Sequence, residues 1–373
     1  MSAMTLRLHP VDVWMFRETR YFAEATSDSR SEFPLPKTVA GALRTLMMRA
    51  ARVDLRAIRE AMRNARRDAA GEAEYMEALK GHLRAACKAG CSGTWPVDAT
   101  IAGPFLWRGG SRWYPLPRSI VKTKNGQVVA LKPAASDVPG WDAAAGRRPL
   151  FAGTAEAVEG WEQAYVSAGD LGRFLGGELL EASSIKERRT FIADEPRVGI
   201  AIEADSGTVG EGLIYSSTFL RLKDDTALEV DLEFGGDPPA ELTTYLAATP
   251  WLRLGGEGRV ARIGPVDPPA SPPEPKGEGA PLVYLATPAL FEGERWHPDG
   301  VTPLAAAVGS PQVFSGWDLA ANLPMKTRYA VPAGAVYFYD TGDTQLPDHA
   351  TCVSDDPDDK AAGWGYCLRG VWS

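Results

Sequence analysis

The sequence has few of the residues from which catalytic and metal sites are usually built. Its 373 residues include only four histidines and four cysteines. The histidines, His9, His82, His297 and His349, are scattered and form neither an HExxH pair nor any other ligand spacing. A GxSxG nucleophile elbow and a Walker phosphate loop are also missing from the sequence. We therefore expect a protein that is not an enzyme and that has no cofactor and no bound metal.

The cysteines and the apolar residues exclude two further classes of protein. Cys87 and Cys91 form a C-x3-C pair, but Cys352 and Cys367 lie far from it. Four scattered cysteines are too few for a disulfide framework, so we expect reduced thiols. No apolar run reaches the length of a membrane span, and no basic-then-apolar signal peptide opens the chain. We expect a cytoplasmic protein.

The net charge of −8 argues against a free-standing RNA-binding domain, which usually carries a basic surplus. An acidic chain can still bind RNA if its arginines and lysines are gathered on one face, or if more basic partner subunits share the RNA. The length favours two domains, and we place their boundary near residue 190, which gives domains of residues 1–190 and 191–373. Residues 265–281 are rich in proline and predict a long loop.

Hydrophobic periodicity predicts a mixture of strands and helices. In residues 228–234, apolar side chains alternate with those of Glu229, Asp231 and Glu233, which predicts a strand with one solvated face. Further strands are predicted at 198–202, 212–222 and 335–340. Helices are predicted from about Thr38, along a long stretch that ends near residue 89, and near 155–165, 168–176 and 239–248. This order favours an α+β fold made of split β-α-β units.

The N-terminal motifs DVWMFRETRYF (12–22) and FPLPKTVAGALRT (33–45) predict a strand, a basic loop, a proline-bracketed turn and a helix. Thr38 is the expected N-cap, because its hydroxyl can accept from backbone N–H groups one turn later. A helix N-terminus carries free N–H donors and a partial positive charge, so it suits an anion such as phosphate. Capping alone explains Thr38, but it does not explain the cluster of Arg17, Arg20, Lys37 and Arg44.

Arginines recur along the long predicted helix. Arg49, Arg52, Arg56, Arg59, Arg63 and Arg66 are three or four residues apart and would share one face, with Arg67 beside them. The adjacent apolar stripe is Leu55, Ile58, Met62 and Ala65. Few acidic residues lie near the arginines. The pattern leaves open a solvated face, a contact with phosphate or a contact with a partner protein.

Two further features are open to more than one interpretation. The cluster RLGGEGRVARIG (253–264) could hold a backbone close to Gly255 and Gly256, but a hairpin turn would have the same composition. Trp14 and Phe16 point to one face of the first predicted strand, which favours core packing over stacking on a base.

In order along the chain, these motifs resemble the family of third subunits of the Cmr effector complex of type III-B CRISPR systems, within the RAMP superfamily. The matching segments are FRETRYF, PLPKTVAGALRT, EPRVGIAIEADSGTVGEGLIYSSTFLRL, LGGEGR, TPALFEGERWHPDG and SGWDLAANLPMKTRYAVPAGAVYFYD. They span most of the chain. The arginine-rich region at 49–91 and the loop at 265–281 lie outside the resemblance, and GWGYCLRGVW keeps only a thin version of the glycine-rich ending of RAMP proteins.

The resemblance implies two ferredoxin-like (RRM-like) domains with inserted loops and helices, and no nuclease activity. It implies a subunit of an antiviral ribonucleoprotein that binds the 5′ repeat-derived tag of the CRISPR RNA. The implied protein partners are the large polymerase-like subunit and a backbone RAMP subunit. Carried over to this chain, the RNA-binding candidates are Arg17, Arg20, Lys37, Thr38, Arg44, Lys186, Arg188, Arg189, Arg197, Gly255, Gly256, Arg259 and Lys326.

Three other hypotheses stay open. A RAMP endoribonuclease that processes CRISPR RNA would need a base, for which His9 is the candidate nearest the basic cluster. A scaffold subunit would bind proteins without touching RNA, and a related subunit of another type III subtype would share the same motifs. For the tag-binding hypothesis, we expect Lys37→Glu with Arg44→Glu to weaken retention of the guide RNA without unfolding the protein.

Overall fold

A computed structural model describes residues 3–16, 28–29, 31–68, 70–91, 93–135, 138, 147–202, 209–293, 295–318, 323–343 and 345–373. In this part of the chain, seven helices accompany several sheets whose strands are almost all antiparallel. None of the described helices combines the length and the apolarity needed to cross a bilayer. The predicted α+β class is confirmed, and the division into two ferredoxin-like domains stays a prediction.

The helices are shorter than the sequence pattern predicts. They are α1 Pro36–Ala50, α2 Leu55–Asp68, α3 Glu72–Gly90, α4 Trp95–Asp98, α5 Ala168–Leu175, α6 Ala240–Ala248 and α7 Pro357–Ala361. The prediction of one long arginine-striped helix is wrong. Arg52 has a left-handed backbone (φ 55°), and Asp54 starts α2 by accepting from the amides of Arg56 and Ala57 at 2.8 and 3.2 Å. The helices predicted at 168–176 and 239–248 are confirmed as α5 and α6.

The strands of the N-terminal part are β1 Ala3–Pro10, β2 Asp28–Ser29, β3 Thr100–Arg108, β4 Ser111–Pro115, β5 Ile120–Thr123, β6 Val128–Ala130, β7 Lys132–Pro133, β8 Leu150–Phe151, β9 Val158–Gly160, β10 Ala164–Ser167 and β11 Lys186–Glu187. The helix predicted at 155–165 is therefore wrong, because β9 and the start of β10 occupy that segment. Val166 and Ala164 face the core from β10, in the two-residue period of a strand.

The remaining strands are β12 Ile192–Ile202, β13 Val209–Leu222, β14 Thr226–Glu233, β15 Trp251–Arg253, β16 Val260–Val266, β17 Ala280–Leu285, β18 Ala305–Ala307, β19 Gln312–Phe314, β20 Trp317–Asp318, β21 Leu323–Pro324, β22 Arg328–Ala330, β23 Val336–Phe338, β24 Thr351–Cys352 and β25 Tyr366–Trp372. The strands predicted at 198–202, 212–222, 228–234 and 335–340 are confirmed as parts of β12, β13, β14 and β23.

The largest sheet has eight strands in the order β11-β10-β4-β3-β14-β1-β16-β15. Strand β1 lies between β14 and β16, with Leu6 opposite Val230 on one side and Pro265 on the other. Leu6, Val230 and their apolar neighbours pack against α1 and α6, for example on Leu43 and Leu246. Segments on both sides of residue 190 therefore share one core, and the boundary placed there stays a prediction.

The acidic face of β14 is largely buried, although the sequence predicts that it is solvated. Glu229 and Asp231, expected on a solvated face, are only 1% and 9% exposed. Arg112 of β4 donates to Glu229 Oε2 at 2.6 Å and to the two oxygens of Asp231 at 2.7 and 2.6 Å. Burial opposes the charge of Arg112, but its hydrogen bonds to the two carboxylates raise its pKa above the usual value. The expectation of a solvated face is wrong. The buried guanidinium of Arg112 neutralises the two carboxylates, so they do not need water to stabilise their charge.

A second sheet, in the order β18-β23-β17-β25-β24, covers this face. The core between the sheets contains Phe105 and Tyr114 from the large sheet and Leu282, Tyr284 and Leu368 from the second. The Tyr284 hydroxyl donates to the carbonyl oxygen of Pro115 at 2.6 Å. The two sheets therefore meet through aromatic rings, and the Tyr284 hydroxyl is bonded to the opposite layer.

Candidate nucleic-acid interface

A long hairpin of β12 and β13 forms the frame of the candidate interface. The register places Glu195 opposite Phe219 and Arg197 opposite Ser217, so these side chains share one face. Trp14 lies antiparallel to β13, where its amide donates to the carbonyl of Leu220 at 2.9 Å. The chain therefore passes from β1 along the hairpin just before residues 17–27.

Three arginines and two carboxylates form an ion-pair network on that face. Arg197 Nη2 donates to Asp12 Oδ2 at 2.8 Å and to Glu195 Oε1 at 2.6 Å. Arg221 Nη2 donates to Asp12 Oδ1 at 2.8 Å, and its Nε donates to Glu195. Arg259 Nη1 lies 3.7 Å from Asp12 Oδ2. We call these five residues the arginine network.

The network keeps a net positive charge. Hydrogen bonds from Arg197 and Arg221 lower the pKa of Asp12, and those from Arg221 and Arg197 lower the pKa of Glu195. Both carboxylates are thus ionised at neutral pH, and three guanidinium groups exceed two carboxylates by one charge. The side chains of Arg197 and Arg221 are 37% and 42% exposed, so their forked donors are accessible to a phosphate.

A buried ring holds two of the guanidinium groups in place. The Cζ atoms of Arg197 and Arg259 lie 5.1 and 4.6 Å from the ring centre of Phe219. Phe219 itself is only 6% exposed and packs with Val13 and Met15. Because its ring is covered, Phe219 positions cations and cannot stack on a base.

The glycine turn lies beside the network. Gly255 has a left-handed backbone (φ 88°), and the Gly256 amide donates to the carbonyl of Met15 at 2.7 Å. Two more hydrogen bonds close the turn. The Leu254 amide donates to Arg259 O at 2.9 Å, and the Arg259 amide donates to Gly256 O at 3.2 Å. The glycines thus do hold a backbone closely, but that backbone is the chain's own at Met15.

The start of α1 differs from its prediction. The N-cap is Leu35 and Pro36 is the first helical residue, so the assignment of Thr38 as the cap is wrong. Thr38 is exposed, and its amide donates to Leu35 O at 3.0 Å. Lys37 Nζ lies 3.5 Å from the sulfur of Met325 and 5.5 Å from the ring centre of Phe314. Lys37 therefore extends toward Phe314 and Met325.

Arg44 has a structural role. It donates to the carbonyl oxygens of Val97 at 2.7 Å, Ala361 at 3.2 Å, Ala99 at 3.3 Å and Pro96 at 3.4 Å. Burial lowers its pKa from the usual value. Since these bonds join α1 to α4 and α7, the expectation that Arg44→Glu leaves the fold intact is in conflict with its contacts.

The basic segment before β12 is spread over three environments. Lys186 Nζ donates to Ser183 O at 2.8 Å, and Arg188 forms two bonds of 2.9 and 2.6 Å to Asp194. Arg189 is paired with Glu187 at 2.8 Å, but its side chain is 83% exposed. Of the three, Arg188 lies at a cavity and Arg189 is the most accessible.

The other predicted residues fall into three groups. Arg17 and Arg20 lie outside the described residues. Lys326 is exposed in the segment after β21. Trp14 and Phe16 are 0% and 7% exposed, which confirms that they pack in the core.

Sequence reasoning did not predict a cavity of about 980 Å³ on the opposite face of the hairpin. Its lining includes aromatic rings, prolines and polar groups, among them Phe33, Pro34, Trp113, Gln163, Tyr165, Arg188 and Thr218. This volume is in the range of small-molecule and nucleotide sites. The hairpin thus separates a cationic surface, suited to phosphate, from an aromatic cavity, suited to a base.

Asp12, Glu195, Phe219 and Arg221 were also missed. The two-residue period of the hairpin carried a signal, since EPR (195–197) places two charges, and FLR (219–221) an aromatic ring and a charge, at alternate positions of two strands. Metal chemistry has no support in the described residues, where no group of three or more His, Cys, Asp and Glu side chains could hold an ion. Burial raises the pKa of the Cys87 thiol to about 11, and Cys91 donates to Gly93 O at 3.1 Å.

Comparison with known proteins gives one family and several solved structures. A family model described as CRISPR-associated protein (Cas_Cmr3) matches residues 6–372. A chain in the cryo-EM structure of the type III-B Cmr-beta complex bound to cognate target RNA and AMPPnP is similar, with 18% identity and a TM-score of 0.50, over 90% of this chain and 86% of that chain. A chain in the structure of the same complex bound to cognate target RNA has 16% identity and a TM-score of 0.50, over the same shares of the two chains. At these identities the likeness shows the fold. No curated protein matches this sequence.

Proposed function

Since the chain belongs to the Cas_Cmr3 family of CRISPR-associated proteins and is a type III effector subunit, we propose that it anchors the 5′ repeat-derived tag of the CRISPR RNA. It binds the tag phosphates at the arginine network and is not itself a nuclease. Its protein partners are the large polymerase-like subunit and a backbone RAMP subunit of a type III-B complex. The observation that carries the proposal is the convergence of Asp12, Glu195, Arg197, Arg221 and Arg259, from four separate parts of the chain, on one exposed cationic surface.

The chemistry of the network supports phosphate binding. Arginine forks match phosphate oxygens in pairs, and carboxylates already orient both Arg197 and Arg221. The Phe219 ring also holds Arg197. A phosphate that binds here replaces contacts to Asp12 or Glu195 without a large movement of the guanidinium groups. The adjacent cavity accepts an unstacked base, which is how single-stranded RNA is usually bound.

The strand order supports the predicted ferredoxin-like units. In chain order, β1, α1, β3, β14, α6 and β16 follow the pattern β-α-β-β-α-β, and their strands are neighbours in the large sheet. Strands β17, β18, β23, β24 and β25 form the second sheet. We infer one ferredoxin-like unit around each sheet, with the hairpin and helices α2 to α4 inserted into the first.

Nuclease activity would require a base close to the RNA. His9 lies on β1 opposite Arg262, and burial together with Arg7 and Arg262 lowers its pKa. A neutral imidazole could act as a base in principle, so the proposal needs a direct test. Incubation of the complex with precursor RNA, without metal, should leave the RNA intact. Cleavage that His9→Ala abolishes would contradict the proposal.

The decisive experiment is crosslinking in the assembled complex. The chain is co-expressed with the other subunits, irradiated with ultraviolet light, and the RNA attached to it is sequenced. We expect reads on the 5′ tag, and we expect Arg197→Gln with Arg259→Gln to reduce them. The matched control is Arg173→Gln, an exposed arginine of α5 that is also ion-paired. A chain that stays in the complex without crosslinked RNA would instead be a protein scaffold.

A further inference from the structure

Residues 49–67 carry a charge opposite to that of the whole chain. They include seven arginines, no lysine and two acidic residues, Asp54 and Glu60, which gives a local charge of +5 in a protein of net charge −8. Arginine without lysine is the composition expected where forked donors bind phosphate or carboxylate. The proposed tag-binding function does not use this segment.

Helix α2 separates these arginines from its packing side. Ile58 and Ala65 are buried, Leu55 and Met62 are half-buried, and this stripe packs toward Leu83 and Cys87 of α3. Arg56, Arg59 and Arg63 are exposed on the other side. At 1.5 Å per residue they span about 10 Å along one helix face. The packing of α2 thus fixes the outward direction of three cations.

These three cations have no partner in the part of the chain that the structure describes. There, no side-chain hydrogen bond, ion pair or ring contact involves Arg56, Arg59 or Arg63, although other arginines of the fold are paired extensively. Asp54 uses Oδ1 to cap the start of α2. Glu60 lies on the same side of α2, one turn from Arg56 and from Arg63, so the three arginines leave this helix face with a net charge of +2. A surplus of like charge on one helix face is unfavourable unless a ligand of opposite charge binds it.

The surface chemistry favours a nucleic acid over an acidic protein. Stable protein interfaces are centred on buried aromatic or aliphatic anchors. Among the described residues of 49–91, no large apolar side chain is exposed. The exposed side of α2 offers arginines, Ala57, Glu60 and Asn64, so it has charge without an anchor.

We propose that the outer face of α2 is a second RNA-binding surface, on which Arg56, Arg59 and Arg63 contact phosphates without regard to base sequence. The three arginines supply point contacts and forked donors, and no aromatic ring is present to select a base. The surface adds affinity for RNA that extends beyond the tag. It does not depend on the arginine network, so the two sites can fail separately.

The test compares the salt dependence of RNA binding. The full chain and the assembled complex are titrated with an unstructured oligouridylate over a series of potassium chloride concentrations. For the triple variant Arg56→Gln, Arg59→Gln and Arg63→Gln, we expect the slope of log K against log salt to decrease by about 2, since each phosphate contact contributes roughly 0.7 for a single strand. Replacing the same three residues with lysine should restore most of the slope.

The control variant removes the same number of positive charges from other segments of the chain. Lys124→Gln, Lys132→Gln and Lys223→Gln remove three exposed cations on other segments and should leave the slope unchanged. Circular dichroism checks that each variant keeps its helices. A folded α2 variant with the wild-type slope would overturn the proposal. The proposal would also be overturned if the α2 variant kept its RNA binding but lost partner subunits from the nuclease-treated complex. The face would then bind an acidic protein. Tag crosslinking in the same variant reports separately on the proposed function.

Discussion

The carbonyl oxygen of Met15 occupies the space that a side chain at position 255 would need. A β-carbon added to Gly255 would lie 2.7 Å from that oxygen, and the backbone of Gly255 is left-handed. The contact joins the turn before β16 to the segment that follows β1. It therefore holds Arg259 and Asp12, which belong to those two segments, within reach of each other.

Gly255→Ala should destabilise the protein by about 1–3 kcal/mol, because it introduces both a steric clash and an unfavourable φ. It should also weaken RNA binding, since the turn positions Arg259. Gly256→Ala is the matched control, because its β-carbon would lie 3.6 Å from the same oxygen, an ordinary contact. Thermal unfolding and RNA titration of both variants check the prediction. Equal stability of the two would contradict it.

Arg112→Met should destabilise the protein by about 3–5 kcal/mol, the range for breaking one side of a buried ion pair. Glu229 would keep only Arg7, at 2.7 Å, and Asp231 only Thr5, at 2.6 Å. Adding Glu229→Gln and Asp231→Asn to this variant should recover part of the loss, because no unpaired buried carboxylate remains. Chemical denaturation measures both effects. A mild loss in the single variant would mean that water reaches the carboxylates.

Arg44→Gln should lower stability by about 1–3 kcal/mol, since buried carbonyl oxygens lose their donors. Lys37→Gln, about two turns earlier on the same helix, should change stability much less. Guide-RNA retention by both variants is measured at a temperature where each is folded. If folded Lys37→Gln loses the guide RNA, the first helix belongs to the RNA site. If Arg44→Gln loses the guide RNA only when it unfolds, the role of Arg44 is structural.

The arginine network should weaken in acid. The pKa values of Asp12 and Glu195 lie below their ordinary values of 3.8 and 4.5 in the folded protein. The stability that they contribute is fully present above those ordinary values and is lost as pH falls through the lower folded values. The protection of the β12 and β13 amides against hydrogen exchange, relative to the intrinsic exchange rate at each pH, should therefore decrease below about pH 4. The variant Asp12→Asn with Glu195→Gln should show less of this acid dependence.

Local patterns predicted the strands well where alternation was clean. Val230 and Leu232 face the core as expected, but the pattern alone could not reveal that Glu229 and Asp231 are also covered. Their partner Arg112 lies on a different strand, and no sequence pattern links it to Glu229 or Asp231. A charged strand face is usually solvated, and only the second sheet makes this one an exception.

The site was predicted in part. Arg197 and Arg259 were proposed from motifs and both lie at Asp12 in the structure, whereas Asp12, which joins them, was not proposed. Thr38 was misassigned because Pro36 starts the helix two residues earlier than the capping pattern suggests. A one-residue cap signal is weaker than a proline whose φ already suits the first turn.

The position of β1 between β14 and β16 has a consequence for synthesis on the ribosome. Both partners of this strand lie more than two hundred residues later in the chain. At usual elongation rates β1 leaves the exit tunnel about 10–40 s before β14 follows. During that interval both of its edges are unpaired, and the nascent chain exposes the apolar residues of β1 to solvent. The central strand of the sheet is therefore among the first to be made and the last to be paired, so the large sheet closes only after translation has passed residue 266.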